Sequence, residues 1–154
     1  MLQDKLDFLL NEFPRRLLNL DPSTRGNWGK LNGQQMVEHF TEYVGIASGR
    51  VVHPRFTPDD QLERMKAFLK SDKPFRENTP NPLLPAEPPV PVHRNMHEAV
   101  NALKSELDYF VSYFKANSTA TTSNPFFGEL DFEENVHLLY KHALHHLRQF
   151  SLNE

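Results

Sequence analysis

Apolar residues recur at every third or fourth position in four long stretches of the chain, a spacing that places them on one face of a helix. The first stretch covers most of the first twenty residues. Pro14 lies within it and predicts a kink or a break near Phe13, because proline lacks the backbone donor that an interior helical position needs. After a turn-rich segment, Asn32 can cap the second helix.

The third long helix has the most regular apolar stripe, which runs from Met96 to Phe114 and is typical of bundle packing. The fourth helix is predicted to begin near Asp131. A shorter helix is expected over residues 58–70, with acidic residues in its first turn where they suit the helix dipole. No strand signal of weight and no internal repeat is found.

Residues 71–93 hold more than half of the protein's twelve prolines and have no helical or strand periodicity. A long loop that is functional or packed across a face is therefore expected there. The predicted fold class is all-α. Residues 1–154 are expected to form a single four-helix bundle domain, with an additional short helix and the long Pro-rich loop.

Composition narrows the chemistry. The chain has 17 basic and 20 acidic residues, so charge gives no reason to expect nucleic acid or an anionic membrane as a partner. It has no cysteine, which excludes disulfides, thiolate ligands and a cysteine nucleophile, and leaves imidazole and oxygen to hold any metal. The N-terminal residues form no uninterrupted apolar segment, which predicts a cytoplasmic protein with neither a signal peptide nor a membrane span.

Histidines stand at apolar positions of two helices. His142 and His146 are four residues apart, so their imidazoles lie on one helix face and can reach one ion at about 2.0 to 2.1 Å. His39 is the other histidine on an inward stripe, and it is the candidate third ligand. The sequence predicts a divalent-metal site of His39, His142 and His146 between helices two and four, with positions left open for water or substrate.

Simpler explanations exist for each histidine. A single inward histidine is more often a hydrogen-bonded core residue than a ligand, and exposed helices carry four-residue pairs by chance. His145 is a spare ligand, or it donates a hydrogen bond to the residues that support the ligands. Tyr43 is expected to bury its ring rather than act as an acid. A surface role is expected for the remaining histidines, which are His53, His93, His97 and His137.

Polar residues near these histidines are candidates for supporting roles. Gln149 is three residues beyond His146 and shares its face, so it can orient a ligand or a bound water, unless it is an ordinary surface glutamine. Gln35 and Glu42, four before and three after His39, can serve similarly. Glu42 is the candidate general base.

Two segments resemble the DinB-like, or YfiT-like, superfamily of metal-dependent enzymes. Residues 28–39, WGKLNGQQMVEH, are similar to that family's approach to its second helix and first metal histidine. Residues 124–130, NPFFGEL, lead into residues 140–150, which are similar to its final helix with the second and third ligands and Gln149. With matching helix lengths, the similarity covers nearly the whole chain. Asn124 departs from it, since relatives of this Pro-rich subgroup carry a histidine before the proline.

This resemblance implies an up-down-down-up four-helix bundle, frequently a homodimer, that binds nickel, zinc or another divalent ion. Characterised relatives include thiol transferases acting with bacillithiol, mycothiol-dependent isomerases and hydrolases, and the shared scaffold does not select among them. We expect an enzyme that activates water or a low-molecular-weight thiol against a small-molecule substrate. The alternatives are a bundle that the ion only braces, a stress-related binding protein without activity, and a buried polar network without an ion.

Overall fold

The computed structural model describes residues 2–153 and is mostly helical. Its α-helices, in chain order, are α1 (Leu2–Asp7), α2 (Phe13–Leu17), α3 (Gly33–Ala47), α4 (Leu62–Lys70), α5 (Met96–Ala116) and α6 (Phe132–Gln149). Its strands are β1 (Thr122–Asn124) and β2 (Gly128–Leu130). Within the described residues, no helix combines the length and the apolar character needed to cross a membrane.

The first predicted helix is interrupted just before its proline. Between α1 and α2 the chain forms a π-helical segment, Phe8–Glu12, in which the Phe13 N–H bonds to the carbonyl oxygen of Phe8, five residues back. Pro14 follows at the start of α2 and has no N–H to offer a regular α-helical bond. The interruption predicted near Phe13 is therefore a widened turn.

Side-chain caps start both helices that carry the predicted ligands. At α3, the Asn32 side chain accepts the Gln35 N–H, and the Gln35 side chain accepts the Asn32 N–H. Asp131 and Glu134 make the same reciprocal pair at the start of α6. Each pair satisfies backbone donors that the first helical turn leaves free, so these two starts are fixed by local sequence.

One apolar core is shared by α1, α2, α3, α5 and α6. Helix α3 packs along α5, and α6 lies against α1, α3 and α4. The largest side chains buried there include Phe13, Phe40, Phe110, Leu103, Leu107 and Leu147. A second apolar cluster joins α4, the strands and α6 through Leu69, Phe127, Leu130 and Leu138.

The expectation of no strands was wrong for one short hairpin. Strands β1 and β2 pair antiparallel, with Asn124 opposite Gly128. The Asn124 side-chain oxygen accepts the N–H groups of Phe126 and Phe127, and Gly128 has a φ of 80° that most other residues avoid. Strands of three residues are too short to produce a readable alternation of apolar and polar positions.

The Pro-rich segment 71–93 has neither helix nor strand and is tied to α3. The Glu38 carboxylate accepts the Val92 N–H at 2.7 Å. Gln35 Nε2 donates to the Pro89 carbonyl oxygen at 3.0 Å. The loop is therefore packed across the helix that carries His39.

Candidate metal centre

Helices α3 and α6 bring His39, His142 and His146 together. His142 and His146 occupy successive turns of α6 and are 8% and 4% exposed, whereas His39 keeps some exposed surface. One ligand nitrogen from each histidine lies within 4.8 Å of the other two, and the group as a whole is buried. Three histidines that are distant in the chain thus share one small volume.

Two of the three rings lie close enough either to bind one ion or to share a hydrogen bond. Nε2 of His142 is 2.8 Å from Nε2 of His146, and the His39 ring centroid is 5.6 Å from each of the other two. Two nitrogens that each lie about 2.0 to 2.1 Å from one ion are separated by about 2.9 Å at a right angle and by about 3.4 Å at a tetrahedral angle. The observed 2.8 Å is also the length of a hydrogen bond between the two rings. Within residues 2–153, no carboxylate or fourth histidine belongs to the group.

Burial favours the neutral form of all three imidazoles. Burial lowers the pKa of His39 to about 4, and His145 nearby adds to the effect. Burial also holds the pKa of His142 and His146 well below the usual 6.5, with neighbouring histidines lowering it further. A neutral imidazole offers the lone pair that a metal needs, and three of them suit borderline divalent ions. The group can therefore hold a divalent ion near neutral pH.

Gln149 determines which nitrogen of His146 carries the proton. Its Nε2 donates to the carbonyl oxygen of Trp28 at 2.9 Å, so its Oε1, 2.7 Å from His146 Nδ1, is an acceptor. His146 therefore carries its hydrogen on Nδ1. The Nε2 atom of His146 therefore carries no hydrogen, and its lone pair points toward His142.

Small residues let the loop before α3 close over Gln149. A Cβ added to Gly26 would lie 2.8 Å from Gln149 Cγ, and one added to Gly29, which has a φ of 78°, would lie 3.0 Å from Gln149 Nε2. The Asn27 N–H donates to the Gln149 carbonyl oxygen at 2.7 Å. This approach of the loop is what brings the Trp28 carbonyl to the glutamine amide.

A cavity of about 720 Å³ reaches the three histidines. Its walls are mainly apolar and include Met65, Phe68, Phe75, Leu84, Phe126, Phe127 and Leu138. The Phe75 ring meets those of His142 and His145 edge-on at 5.9 and 5.7 Å. Exposed residues of the Pro-rich loop, such as Thr79, also line the cavity, so it reaches solvent.

Tyr43 contributes a hydroxyl to the cavity beside the histidines. Its ring lies 4.7 Å from that of His39 and 4.9 Å from that of His142. Asn81 Nδ2 donates to the Tyr43 oxygen at 2.8 Å, which leaves the phenolic hydrogen free to donate elsewhere. Burial raises the pKa of Tyr43 to about 12, so the hydroxyl stays protonated. The sequence did not indicate that the Tyr43 hydroxyl is a free donor, because its partner Asn81 lies in a loop without periodicity.

Two predicted supporting residues lie away from the larger cavity. Glu42 and Gln35 line a smaller cavity of about 200 Å³, which His39 also lines, and neither belongs to the lining of the larger one. The Glu42 carboxylate is 3.7 Å from His53 Nε2. The Gln35 side chain caps α3 and bonds to the Pro-rich loop instead of to a ligand histidine.

Three other histidines differ from their expected surroundings. His145 lines the cavity with its ring centroid 5.4 Å from that of Trp28, and its buried Nδ1 has no hydrogen-bond partner within residues 2–153. His53 Nε2 is buried rather than solvated. His137 is partly buried, 3.0 Å from Lys5 Nζ, because α1 covers that side of α6.

Comparisons with known proteins identify no family for this chain. No family model, no curated protein and no solved structure matches it. The interpretation of the three-histidine group therefore rests on its geometry, and the resemblance to DinB-like enzymes, drawn from residues 28–39, 124–130 and 140–150, stays a prediction.

The lowered histidine pKa values predict that metal-free protein loses stability in mild acid. An unfolded histidine has a pKa near 6.5, whereas His39 in the fold has a pKa of about 4, so the unfolded state takes up more protons between these values. The stability that the neutral ring contributes is complete above pH 6.5 and is lost as pH falls toward about 4. The melting temperature, measured in the presence of a chelator across this pH range, tests the prediction. His39→Gln should reduce the change of melting temperature with pH, whereas His97→Gln, at an exposed position of α5, should leave it as in wild type. An equal change with pH in both variants would contradict the prediction.

Replacing Gln149 by leucine removes both of its side-chain hydrogen bonds at similar volume. We expect the metal dissociation constant to rise roughly tenfold, because His146 loses the partner that fixes its proton. Competition with a chromophoric chelator measures the constant. Gln61→Leu, at an exposed position before α4, is the matched control. Unchanged affinity in Gln149→Leu would show that His146 needs no such partner.

Proposed function

We propose that this protein is a metal-dependent enzyme in which His39, His142 and His146 hold a divalent ion at one side of the larger cavity. The observation that carries the proposal is the meeting of a three-imidazole group with a cavity of about 720 Å³. An ion held by three imidazoles has further coordination positions, and the cavity gives a small molecule access to them. The proposed reaction is hydrolysis or transfer of a low-molecular-weight thiol, which differ in the nucleophile.

A bracing ion that only holds α3 against α6 is the rival explanation. Bracing sites are filled by a fourth protein ligand and are closed to solvent. In the described part of the chain the histidine group has three members, and all three line the larger cavity. This arrangement favours the enzyme.

Each residue of the site has a separate task in this proposal. A divalent ion, when bound, supplies the Lewis acidity that lowers the pKa of a water or a thiol. Gln149 keeps the His146 lone pair free for the ion. Tyr43 donates its free hydrogen to the substrate atom on which negative charge develops. Glu42, the general base expected from the sequence, lines the smaller cavity and not the larger one, so it has no task in a reaction that takes place in the larger cavity.

We also propose that the chain is a member of the DinB-like superfamily with an up-down-down-up bundle. The interrupted helix α1–α2, α3, α5 and α6 are its four helices, and α4 is the additional short one. Support comes from the single core that these four share and from the ligand positions on the second and last of them. Nickel or zinc as the ion, a homodimer as the assembly and the cytoplasm as the location are proposed on the resemblance and the sequence.

Metal analysis of protein purified without a histidine tag tests the site. We expect about one divalent ion per chain in the wild type, since residues 2–153 contain one three-histidine group. His142→Ala and His146→Ala should each lose the ion and keep their helical content, while His97→Ala should keep both. Stoichiometric metal in both α6 variants would refute the assignment, as would a wild-type protein that takes up no divalent ion.

A reaction screen of the metal-loaded protein tests the activity. Thiol transfer to a small electrophile should be tried with bacillithiol, mycothiol, coenzyme A and glutathione, beside ester hydrolysis. We expect activity that chelators abolish, and a kcat about a hundredfold lower in Tyr43→Phe with metal retained, because one donor to the developing charge is lost. Tyr109→Phe, on the surface of α5, is the control. Activity that survives metal removal would contradict the proposal.

A further inference from the structure

The lining of the larger cavity carries positive charge without negative charge. Lys30, Lys73 and Arg76 belong to it, and no aspartate or glutamate of the described chain does. The whole chain has the opposite excess, with 20 acidic against 17 basic residues. A cavity with charge of one sign attracts ligands of the other sign.

Lys30, Lys73 and Arg76 form no ion pair within the described chain. Lys30 Nζ donates to the carbonyl oxygen of Ala86 at 3.0 Å, which is a neutral acceptor. The three cations are therefore free to pair with a charged ligand.

The loop that carries Lys73 and Arg76 is fixed close to the histidines. The buried Lys141 uses its ammonium group to donate to the carbonyl oxygen of Lys73, which ties the loop to α6. Phe75 lies between the two cations in sequence and turns its ring to within 5.9 Å of the His142 ring. Two cations thus flank an aromatic side chain that contacts a candidate metal ligand.

We propose that the substrate is an organic anion with an apolar body. Its carboxylate, sulfonate or phosphate group pairs with Lys73 and Arg76, and its body lies along the aromatic wall that includes Phe75. Its reacting group then lies at the three histidines. This last step rests on the proposed function, whereas selection of the anion by Lys73 and Arg76 needs no ion.

Two fluorescent dyes that differ only in one charged group test the selection. Anilinonaphthalene sulfonate carries a sulfonate on the same aromatic body as neutral phenylnaphthylamine. We expect metal-loaded wild type to bind the sulfonate roughly tenfold more tightly. The double variant Lys73→Gln with Arg76→Gln should remove that preference and leave the neutral dye unaffected. The matched double variant Lys104→Gln with Arg64→Gln, at exposed positions outside the cavity, should behave as wild type.

Equal affinity for the two dyes in wild type would overturn the proposal, and so would a sulfonate preference that survives in the Lys73 and Arg76 variant. The titration is repeated on His142→Ala with its metal content measured in the same sample. A preference that persists without metal supports selection by the loop. If the preference disappears together with the metal, the sulfonate binds to the metal ion and not to Lys73 and Arg76, and the proposal is overturned. If the wild-type protein is found to bind no metal, the proposed enzyme is refuted, but the comparison of the two dyes still tests anion selection by Lys73 and Arg76.

Discussion

The candidate site depends on one constraint, the fixed rotation of α6 against α3. Each residue along an α-helix turns about 100°, so a slip of α6 by one position would carry His142 and His146 away from His39. Core packing prevents that slip. Phe40 follows His39 in α3 and is fully buried, with its ring 5.0 Å from that of His142. Leu147, next to His146, is also fully buried, so the same contacts that stabilise the fold set the distances between the imidazoles.

Burying three imidazoles costs free energy unless their nitrogens find partners. Gln149 supplies one such partner to His146, and the loop that ends at α3 supplies the Trp28 carbonyl that orients Gln149. The Nε2 atoms of His142 and His146 share a hydrogen bond of 2.8 Å, which a divalent ion would replace. The candidate site is therefore connected to both the loop before α3 and the Pro-rich loop, which lines the cavity in front of it.

The helices and the histidine group were predictable from the sequence because periodicity and caps act locally. The starts at Asn32 and Asp131, and the four-residue spacing of the α6 histidines, required no knowledge of the rest of the fold. Contacts between distant segments were not predictable. The Asn81 bond to Tyr43 and the cover of α1 over His137 arise only when the chain has packed, and the β1–β2 hairpin is too short for a pattern.

Anomalous diffraction from crystals of the nickel- or zinc-loaded protein would locate the ion among the side chains. We expect one strong peak about 2.0 to 2.1 Å from a nitrogen of each of His39, His142 and His146, with the remaining coordination positions of the ion facing the cavity. A peak coordinated by other residues, or by fewer than these three histidines, would contradict this expectation.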